Sequence, residues 1–116
     1  MVSQYTSPGA VSVVGVDGQF VRSYVQPQSS DVGQMKYPRS LSLTKSDNIL
    51  VADTDNNRIL SVDRSLSSAQ VLALSVDDGT QQPCGLCLDE SRGRLYVGET
   101  GTKRRVLVFD VTFLGL

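Results

Sequence analysis

The chain has 116 residues, of which 40% are hydrophobic and 20% charged, and its 11 basic and 12 acidic residues leave a formal charge of -1. This composition is typical of a single soluble globular unit and excludes the collagen-like and disordered classes. A net charge near zero gives no overall field to attract nucleic acid or anionic lipid, so charge-driven binding would need a local patch.

The sequence contains neither the pattern of a membrane-spanning helix nor that of a signal peptide. No apolar run approaches the roughly 20 residues that a membrane-spanning helix needs. The first residues, Met1 to Gln4, are neither basic nor followed by the apolar core of a signal peptide. We therefore expect a cytoplasmic protein with no membrane partner.

Short strands separated by turn residues are predicted from the N-terminus onward. Residues 1–10 are the least regular segment and are interpreted as the frayed end of a truncated strand. Two strands, Val11 to Val16 and Gln19 to Val25, are predicted to pair across Asp17-Gly18, a dipeptide suited to a turn with two positive φ angles. A loop rich in Gln, Ser and Gly then extends to Tyr37.

The central part of the chain contains its most informative stretch, Ile49 to Ala52. Four consecutive apolar residues bounded by Asn48 and Asp53 are too few for a typical helix and favour a strand that is buried on both faces. Such a strand implies stacked sheets. The strands predicted around it are Ser40 to Thr44, Ile49 to Asp53, Arg58 to Val62 and Gln70 to Val76.

The last part of the chain repeats this pattern. Predicted strands are Gly85 to Asp89, Arg94 to Glu99 and Arg105 to Asp110. A fourth strand is either missing or lies in the tail, Thr112 to Leu116. The third unit is therefore expected to be incomplete.

A fixed period connects these units. Three similar strands end at Asp17, Asp63 and Asp110, which are 46 and 47 residues apart, and two similar strands begin near Pro38 and Pro83, which are 45 residues apart. No window shows a sustained apolar period of 3.6 residues. A period in the mid-forties made of short strands favours four-stranded β-propeller blades over paired helices.

The period divides the chain into three blades. Blade one, residues 1–37, is predicted to hold the outer strands of a partial blade and a connecting loop. Blade two, residues 38–82, is predicted to be complete. Blade three, residues 83–116, is predicted to be an incomplete blade with a C-terminal tail. The expected fold is therefore all-β, a partial propeller of antiparallel blades.

The stretch Ile49 to Ile59, ILVADTDNNRI, with its echo at Asp89 to Glu99, resembles the NHL-repeat family found at the C-terminal end of tripartite-motif proteins. The resemblance covers nearly all of Val11 to Val111. It implies a six-bladed ring, of which this chain would carry about two and a half blades, and a role in binding protein or RNA. The ubiquitin-ligase activity of tripartite-motif proteins needs zinc-binding cysteines and histidines that are absent from this sequence, so that activity is not implied.

A partial ring has a physical consequence. Each blade covers the faces of its neighbours, so the end blades of a fragment keep open faces. We therefore expect either missing propeller blades or self-association through the open faces.

Pairs of charged residues flank the turn between the second and third strands of blades two and three. A carboxylate there can accept hydrogen bonds from turn N–H groups, and a guanidinium can pair with a carboxylate of the adjoining blade. The predicted structural turn staples are Asp53, Arg58, Glu99 and Arg105. Ser7 and Ser12 occupy the equivalent positions of blade one, so no staple is expected there.

A binding face is predicted where the loops before the first strand and between the second and third strands open together. Its candidate residues are Lys36, Tyr37, Arg39, Asn56, Asn57, Lys103 and Arg104. Cations can neutralise phosphates, asparagines can bond base edges, and an aromatic ring can stack on a base or a peptide side chain. A protein partner is the first expectation and single-stranded RNA the alternative, while an ordinary solvated rim is the interpretation without function.

The two cysteines, Cys84 and Cys87, form a CxxC motif that we interpret as packing residues rather than a redox pair or half of a zinc site. With no histidine in the chain, a Cys/His zinc site cannot form from this sequence alone. We expect no cofactor, no metal and no catalysis. The alternative that remains is a fragment of a metal-dependent six-bladed hydrolase or lyase.

Overall fold

Antiparallel β-strands build the protein. The computed structural model describes residues 34–72, 74 and 79–112, together with the backbone of three strands nearer the N-terminus. The strands form three separate sheets, two of three strands and one of four. The prediction of an all-β chain with antiparallel propeller blades is confirmed.

The sheet of blade one contains β1 (Val2–Ser3), β2 (Val11–Val14) and β3 (Phe20–Tyr24) in that order. The predicted pairing of the second and third of these strands is confirmed, with a register shift between Val13 and Val14. The rest of both predicted ranges lies outside the described residues. Their predicted turn at Asp17-Gly18 lies outside the described residues.

Ser12 lies opposite Val2 in the pairing of β1 with β2. Ser7, the other residue that the sequence places at the staple positions of blade one, lies outside the described residues, so the absence of a staple there stays a prediction.

Blade two is a four-stranded sheet. Its strands, in spatial order, are β4 (Pro38–Leu43), β5 (Ile49–Asp53), β6 (Arg58–Val62) and β7 (Ala69–Val71). β4 begins earlier than expected, with a register irregularity between Pro38 and Ser40 that keeps it paired to β5. β7 is shorter than the predicted Gln70 to Val76, of which residues 73 and 75–76 lie outside the described residues.

A one-turn 3₁₀ helix, Thr54–Asn56, links β5 to β6. It ends at Asn57, whose left-handed backbone (φ 54°) turns the chain into β6. Among the described residues, no helix has the length and apolar character needed to cross a lipid bilayer.

Blade three contains β8 (Pro83–Asp89), β9 (Arg94–Glu99) and β10 (Val106–Asp110), with β9 in the middle. Among the described residues, the sheet of blade three consists of these three strands. β8 repeats the irregularity of β4, here between Pro83 and Gly85. The two blades therefore share a backbone detail as well as a strand order.

Every residue of β5 is buried, as the apolar run predicted. Because side chains alternate across a strand, Ile49 and Val51 point to one face and Leu50 and Ala52 to the other. The first pair joins a cluster with Met35, Leu60 and Val62. The second pair faces blade three.

The interface between blades two and three is a shared apolar cluster. Its buried members are Leu50, Ala52, Ile59 and Leu72 from blade two and Leu95, Val97 and Val111 from blade three. Complete burial of one such side chain stabilises a fold by roughly 1.5–3 kcal/mol. The two blades therefore pack face to face, as the repeat pattern predicted.

Hydrogen bonds fix the register of this interface at several points. The Leu86 amide donates to Ser40 Oγ (3.1 Å), and the Lys45 amide donates to the Glu90 carboxylate (2.9 Å). The hydroxyl of Thr54, a buried residue, donates to the carbonyl of Pro83 (2.6 Å). Directional contacts of this kind allow only one alignment of the two sheets.

Candidate functional site

A buried carboxylate organises the upper turn of blade two, which contains the 3₁₀ helix. Asp53, at the end of β5, is fully buried and lies opposite Arg58 at the start of β6. One carboxylate oxygen accepts Arg58 Nε (2.7 Å) and Asn56 Nδ2 (2.9 Å). The other accepts the backbone N–H of Lys36 (2.6 Å), seventeen residues earlier. Asp53 therefore ties the turn to the loop that leads into its own blade.

Blade three contains the same arrangement. One carboxylate oxygen of Glu99 accepts a hydrogen bond from Arg105 Nε (2.6 Å), and the other accepts one from the backbone N–H of Gln81 (2.6 Å). Each arginine also donates a hydrogen bond to a backbone carbonyl of the loop that precedes its blade. Arg105 Nη2 donates to the carbonyl of Gly79 (3.1 Å), and Arg58 Nη2 donates to the carbonyl of Gln34 (3.4 Å). We name residues 34–37 and 79–82 the leading loops of the two blades.

The ion pairs differ from the prediction in one respect. The sequence predicted that a guanidinium pairs with a carboxylate of the adjoining blade, whereas the ion pairs of Arg58 with Asp53 and of Arg105 with Glu99 lie inside one blade. The reason is register. Asp53 and Arg58 are cross-strand neighbours, so the nearest carboxylate is on the adjacent strand.

The stapled loops contain residues in an unusual backbone conformation. Tyr37 and Gln82, which are 45 residues apart, have φ values of 56° and 46°. Asn57 and Arg104, 47 residues apart, have φ values of 54° and 46°. A left-handed conformation costs a non-glycine residue about 1 kcal/mol. The repeat therefore fixes the backbone at these positions, whereas their side chains differ from one blade to the next.

Five of the seven predicted binding residues are exposed at the surface. We name this group the loop face; its members are Lys36, Tyr37, Arg39, Lys103 and Arg104. Tyr37 is 40% exposed, which is high for an aromatic residue. The buried carboxylates Asp53 and Glu99 lie beneath the surface, while Asp55 adds one exposed acid to the same turn.

The two asparagines have structural contacts instead. Asn56 Nδ2 donates to the carbonyl of Gln34 (2.8 Å) and to Asp53, so it is part of the staple. Asn57 is exposed, but its Oδ1 accepts a hydrogen bond from the backbone N–H of Gln82 (2.8 Å) and so joins blade two to blade three. Neither is included in the loop face.

Sequence analysis missed Gln82 as a surface position. Gln82 is exposed and left-handed like its counterpart Tyr37. The 45-residue offset that aligned Pro38 with Pro83 also aligns these two residues, so the signal was available. The two positions differ in their side chain, which is tyrosine in blade two and glutamine in blade three.

The opposite end of the blades contains partly buried and exposed carboxylates with structural roles. The pKa of Asp63 is held far below its usual value chiefly by the Ser65 hydroxyl, with further hydrogen bonds from Ser68 and Ser67. Hydrogen bonds also lower the pKa of Asp89, mainly from Ser91, and of Asp110, from Thr112. These carboxylates stay charged to low pH and close the turns that contain their hydrogen-bond donors.

The cysteines were predicted to be packing residues, and for Cys87 this is wrong. Cys84 is partly buried, but Cys87 is exposed, since it lies on the face of blade three that points away from blade two. Both are free thiols. Among the described residues, no group of three or more Cys, Asp or Glu side chains is placed to hold a metal ion.

Comparison with known proteins identifies the repeat. Residues 35–60 match the family model of the NHL repeat. The matched segment includes the leading loop from Met35, both members of the Asp53–Arg58 staple and most of β6. No curated protein matches the chain.

Proposed function

On the premise that the chain contains an NHL repeat, we propose that it is a non-catalytic interaction module whose loop face binds an acidic segment of a partner protein. NHL repeats generally mediate protein–protein interactions. The observation that supports the location of the site is the exposure of Tyr37 and of four cations in the predicted loops, on a chain whose net charge is only -1.

Rigidity is the first argument for this site. The Lys36 amide is bound by Asp53, and Pro38 follows Tyr37 and enters β4. A side chain on a backbone fixed at both sides loses little conformational entropy when a partner binds.

Chemistry is the second argument. Tyrosine and arginine are enriched among the residues that dominate binding energy, and lysine and arginine increase the association rate of acidic partners. The arginines of the two staples, Arg58 and Arg105, already pair with buried carboxylates. The exposed cations of the loop face, Lys36, Arg39, Lys103 and Arg104, are not members of these staples.

A peptide selection tests the proposal. Random peptides displayed on phage are selected against the whole chain, and the recovered peptides are expected to be rich in Asp and Glu. Tyr37→Ala and Arg104→Glu should each weaken their binding by about tenfold or more, which is the loss typical of a hot-spot residue. Arg64→Glu is the matched control, since Arg64 is an exposed cation in the turn after β6, at the opposite end of the blade.

Two outcomes of this selection would contradict the proposal. One is a set of peptides without acidic enrichment. The other is equal affinity for Tyr37→Ala, Arg104→Glu and Arg64→Glu, because the binding site would then lie elsewhere on the chain.

Single-stranded RNA is the second candidate, because an exposed ring beside cations can stack a base while neutralising phosphates. The probe is a fluorescent ten-nucleotide oligouridylate, titrated by anisotropy at several salt concentrations. Lys103→Glu combined with Arg104→Glu should weaken binding and flatten its salt dependence. An unchanged titration would eliminate RNA. The near-neutral charge of the whole chain is the reason that protein ranks first.

Two further parts of the proposal concern catalysis and location. We propose that the module acts in the cytoplasm, which a fluorescent fusion of the chain would test. A rise in Tm on addition of calcium would contradict the non-catalytic assignment, because it would indicate a bound metal of the kind that propeller hydrolases use.

A further inference from the structure

A polar cleft lies at the end of blade two that is away from the loop face. Its volume is about 400 Å³, near the lower end of the range for small-molecule sites. Among the described residues, those that line it all belong to blade two, and they are Asn48, Ser61, Asp63, Ser68, Ala69 and Gln70.

The cleft begins where one face of blade two changes from apolar to polar. Strand pairing sets Leu50, Ser61 and Gln70 side by side across β5, β6 and β7. Because side chains alternate along a strand, Ser61 shares its face with Ile59, which is buried in the cluster between blades two and three. Ser61 and Gln70 therefore continue that face beyond its apolar part.

Ser61 is the buried polar group of the cleft. It is only 7% exposed, and its hydroxyl makes no hydrogen bond to any residue that the structure describes. A hydroxyl removed from water without a partner destabilises a fold. The blade itself does not require one here, because Val108, opposite Tyr96, has in blade three the register position that Ser61, opposite Leu50, has in blade two. The hydroxyl is thus available to a ligand.

Two carboxamides and a second hydroxyl accompany Ser61. Within the described part of the chain, the side chains of Asn48, Ser68 and Gln70 have no hydrogen-bond partner. A carboxamide presents an acceptor oxygen next to donor N–H groups, and a hydroxyl both donates and accepts. These groups match a ligand whose own neighbouring groups both donate and accept, as hydroxyls on adjacent carbons do.

Asp63 sets the charge of the cleft. Its carboxylate already accepts hydrogen bonds from the hydroxyls of Ser65 and Ser67 and from the backbone N–H groups of Ser67 and Ser68. The described lining contains no lysine or arginine, so an anionic ligand would meet a carboxylate without a compensating cation. A cationic ligand would find the lone pairs of this carboxylate largely occupied. A neutral ligand therefore fits best.

We infer that the cleft binds a neutral polyhydroxylated ligand of the monosaccharide class, with Ser61 and the carboxamides of Asn48 and Gln70 bonding its hydroxyls. Ala69 adds an apolar contact for the C–H groups of the ring. Since the other lining groups are polar, apolar contact is small, and we expect a Kd of about 1–10 mM. This site lies apart from the loop face and does not depend on what that face binds.

Titration of the isotope-labelled whole chain, followed by amide NMR spectra, tests the inference. Glucose, galactose and mannose are the probes, each added to about 100 mM, and acetamide and inorganic phosphate are the comparison compounds. At least one sugar should shift the backbone amide signals of Ser61 and Gln70 in a saturable way, while that of Tyr37 stays unchanged.

A matched pair of substitutions tests the role of the buried hydroxyl. Ser61→Ala should weaken sugar binding about fivefold and leave Tm unchanged or raised, because it removes a buried hydroxyl that has no protein partner. Ser42→Ala is the control, since Ser42 lies on the other side of Leu50 in the same row and does not line the cleft. Gln70→Ala, at an exposed position, should also weaken binding without lowering Tm.

Four outcomes would overturn the inference. Unshifted signals with all three sugars would exclude a monosaccharide. Equal sugar affinity for Ser61→Ala and Ser42→Ala would place the site elsewhere. A stronger response to acetamide or phosphate than to every sugar would assign the cleft to another class of ligand. A Tm several degrees lower for Ser61→Ala than for Ser42→Ala would give the hydroxyl a structural role instead.

Discussion

Asp53 shows how much of the fold depends on single polar side chains. It is fully buried, yet it accepts hydrogen bonds from a guanidinium, a side-chain amide and a backbone N–H. A buried carboxylate is tolerable only when its oxygens are satisfied in this way. The same side chain shapes the loop that presents Tyr37, so stability and the proposed binding surface depend on one residue.

Asp53→Ala should therefore destabilise the protein by about 3 kcal/mol, because it removes the buried acceptor of Arg58 Nε, Asn56 Nδ2 and the Lys36 backbone N–H. Urea unfolding would measure the change. Asp55→Ala, which removes an exposed carboxylate from the same turn, is the control and should cost less than about 0.5 kcal/mol. Equal unfolding midpoints for the two variants would show that the staple is dispensable.

The turn after β6 predicts a pH dependence. Hydrogen bonds lower the pKa of Asp63 in the folded protein, chiefly that from Ser65, whereas in the unfolded chain an aspartate titrates at about 3.9. A lowered folded pKa stabilises the native state above the unfolded pKa, and this stabilisation is lost as the pH falls toward the folded pKa.

Asp63→Asn should thus be less stable than the parent chain at pH 7 and should lose less stability between pH 5 and pH 2. Unfolding midpoints in urea across this range would measure both. Ser65→Ala is the companion variant and should shift the acid dependence in the same direction, since it removes the main donor. Parallel curves for all three proteins would refute the assignment.

At the scale of the strand, the interface between blades depends on contacts from the turns as well as on apolar faces. Thr54 begins the 3₁₀ helix of blade two, and its hydroxyl crosses to the Pro83 carbonyl at the start of β8. Because Thr54 is almost completely buried, water cannot replace this bond.

Thr54→Val keeps the shape of the side chain but removes its donor, so it should destabilise the protein by about 1–2 kcal/mol. Thr102→Val, an exposed position in the equivalent region of blade three, is the control. If both variants unfold at the same urea concentration, the hydroxyl does not contribute to the joining of the blades.

The strands show which parts of the fold the sequence could predict. Ile49 to Asp53 was predicted correctly, because four apolar residues between polar ones can be buried only as a short covered strand. A truncated strand was expected within residues 1–10, but the position of β1 was not predicted, since two residues are too few to display an alternation. The start of β4 at Pro38 was missed because a register irregularity extends the pairing into residues that read as a loop.

Side-chain partners were harder to predict than strands. The sequence indicated that Asp53 and Arg58 would form a staple, but the direction of Arg58 depends on cross-strand register, which repeat spacing does not specify. The exposure of Cys87 could not be predicted either. Its position in a strand was clear, but whether another sheet covers that strand is not encoded locally.

At the scale of the whole molecule, the described apolar packing lies on the faces of the blades rather than in one central core. Blade two contributes one apolar cluster on each of its faces, and the second is shared with blade three. This is the organisation of repeat proteins, in which each unit contacts only its neighbours. The family match covers residues 35–60, and the structure reproduces the same hydrogen-bonded arrangement between Gly79 and Arg105.

The closure of each leading loop by a carboxylate of its own blade bears on how such chains evolve. A stretch of DNA that starts at the codon for Gln34 and covers one period encodes the loop, the acid that anchors it and the arginine beside that acid. Duplication or deletion of one such period leaves the bond between loop and carboxylate intact in the neighbouring units. A break between Lys36 and Asp53 would instead separate the loop from the carboxylate that binds it. Copy number can therefore change among descendants while each unit keeps its own geometry.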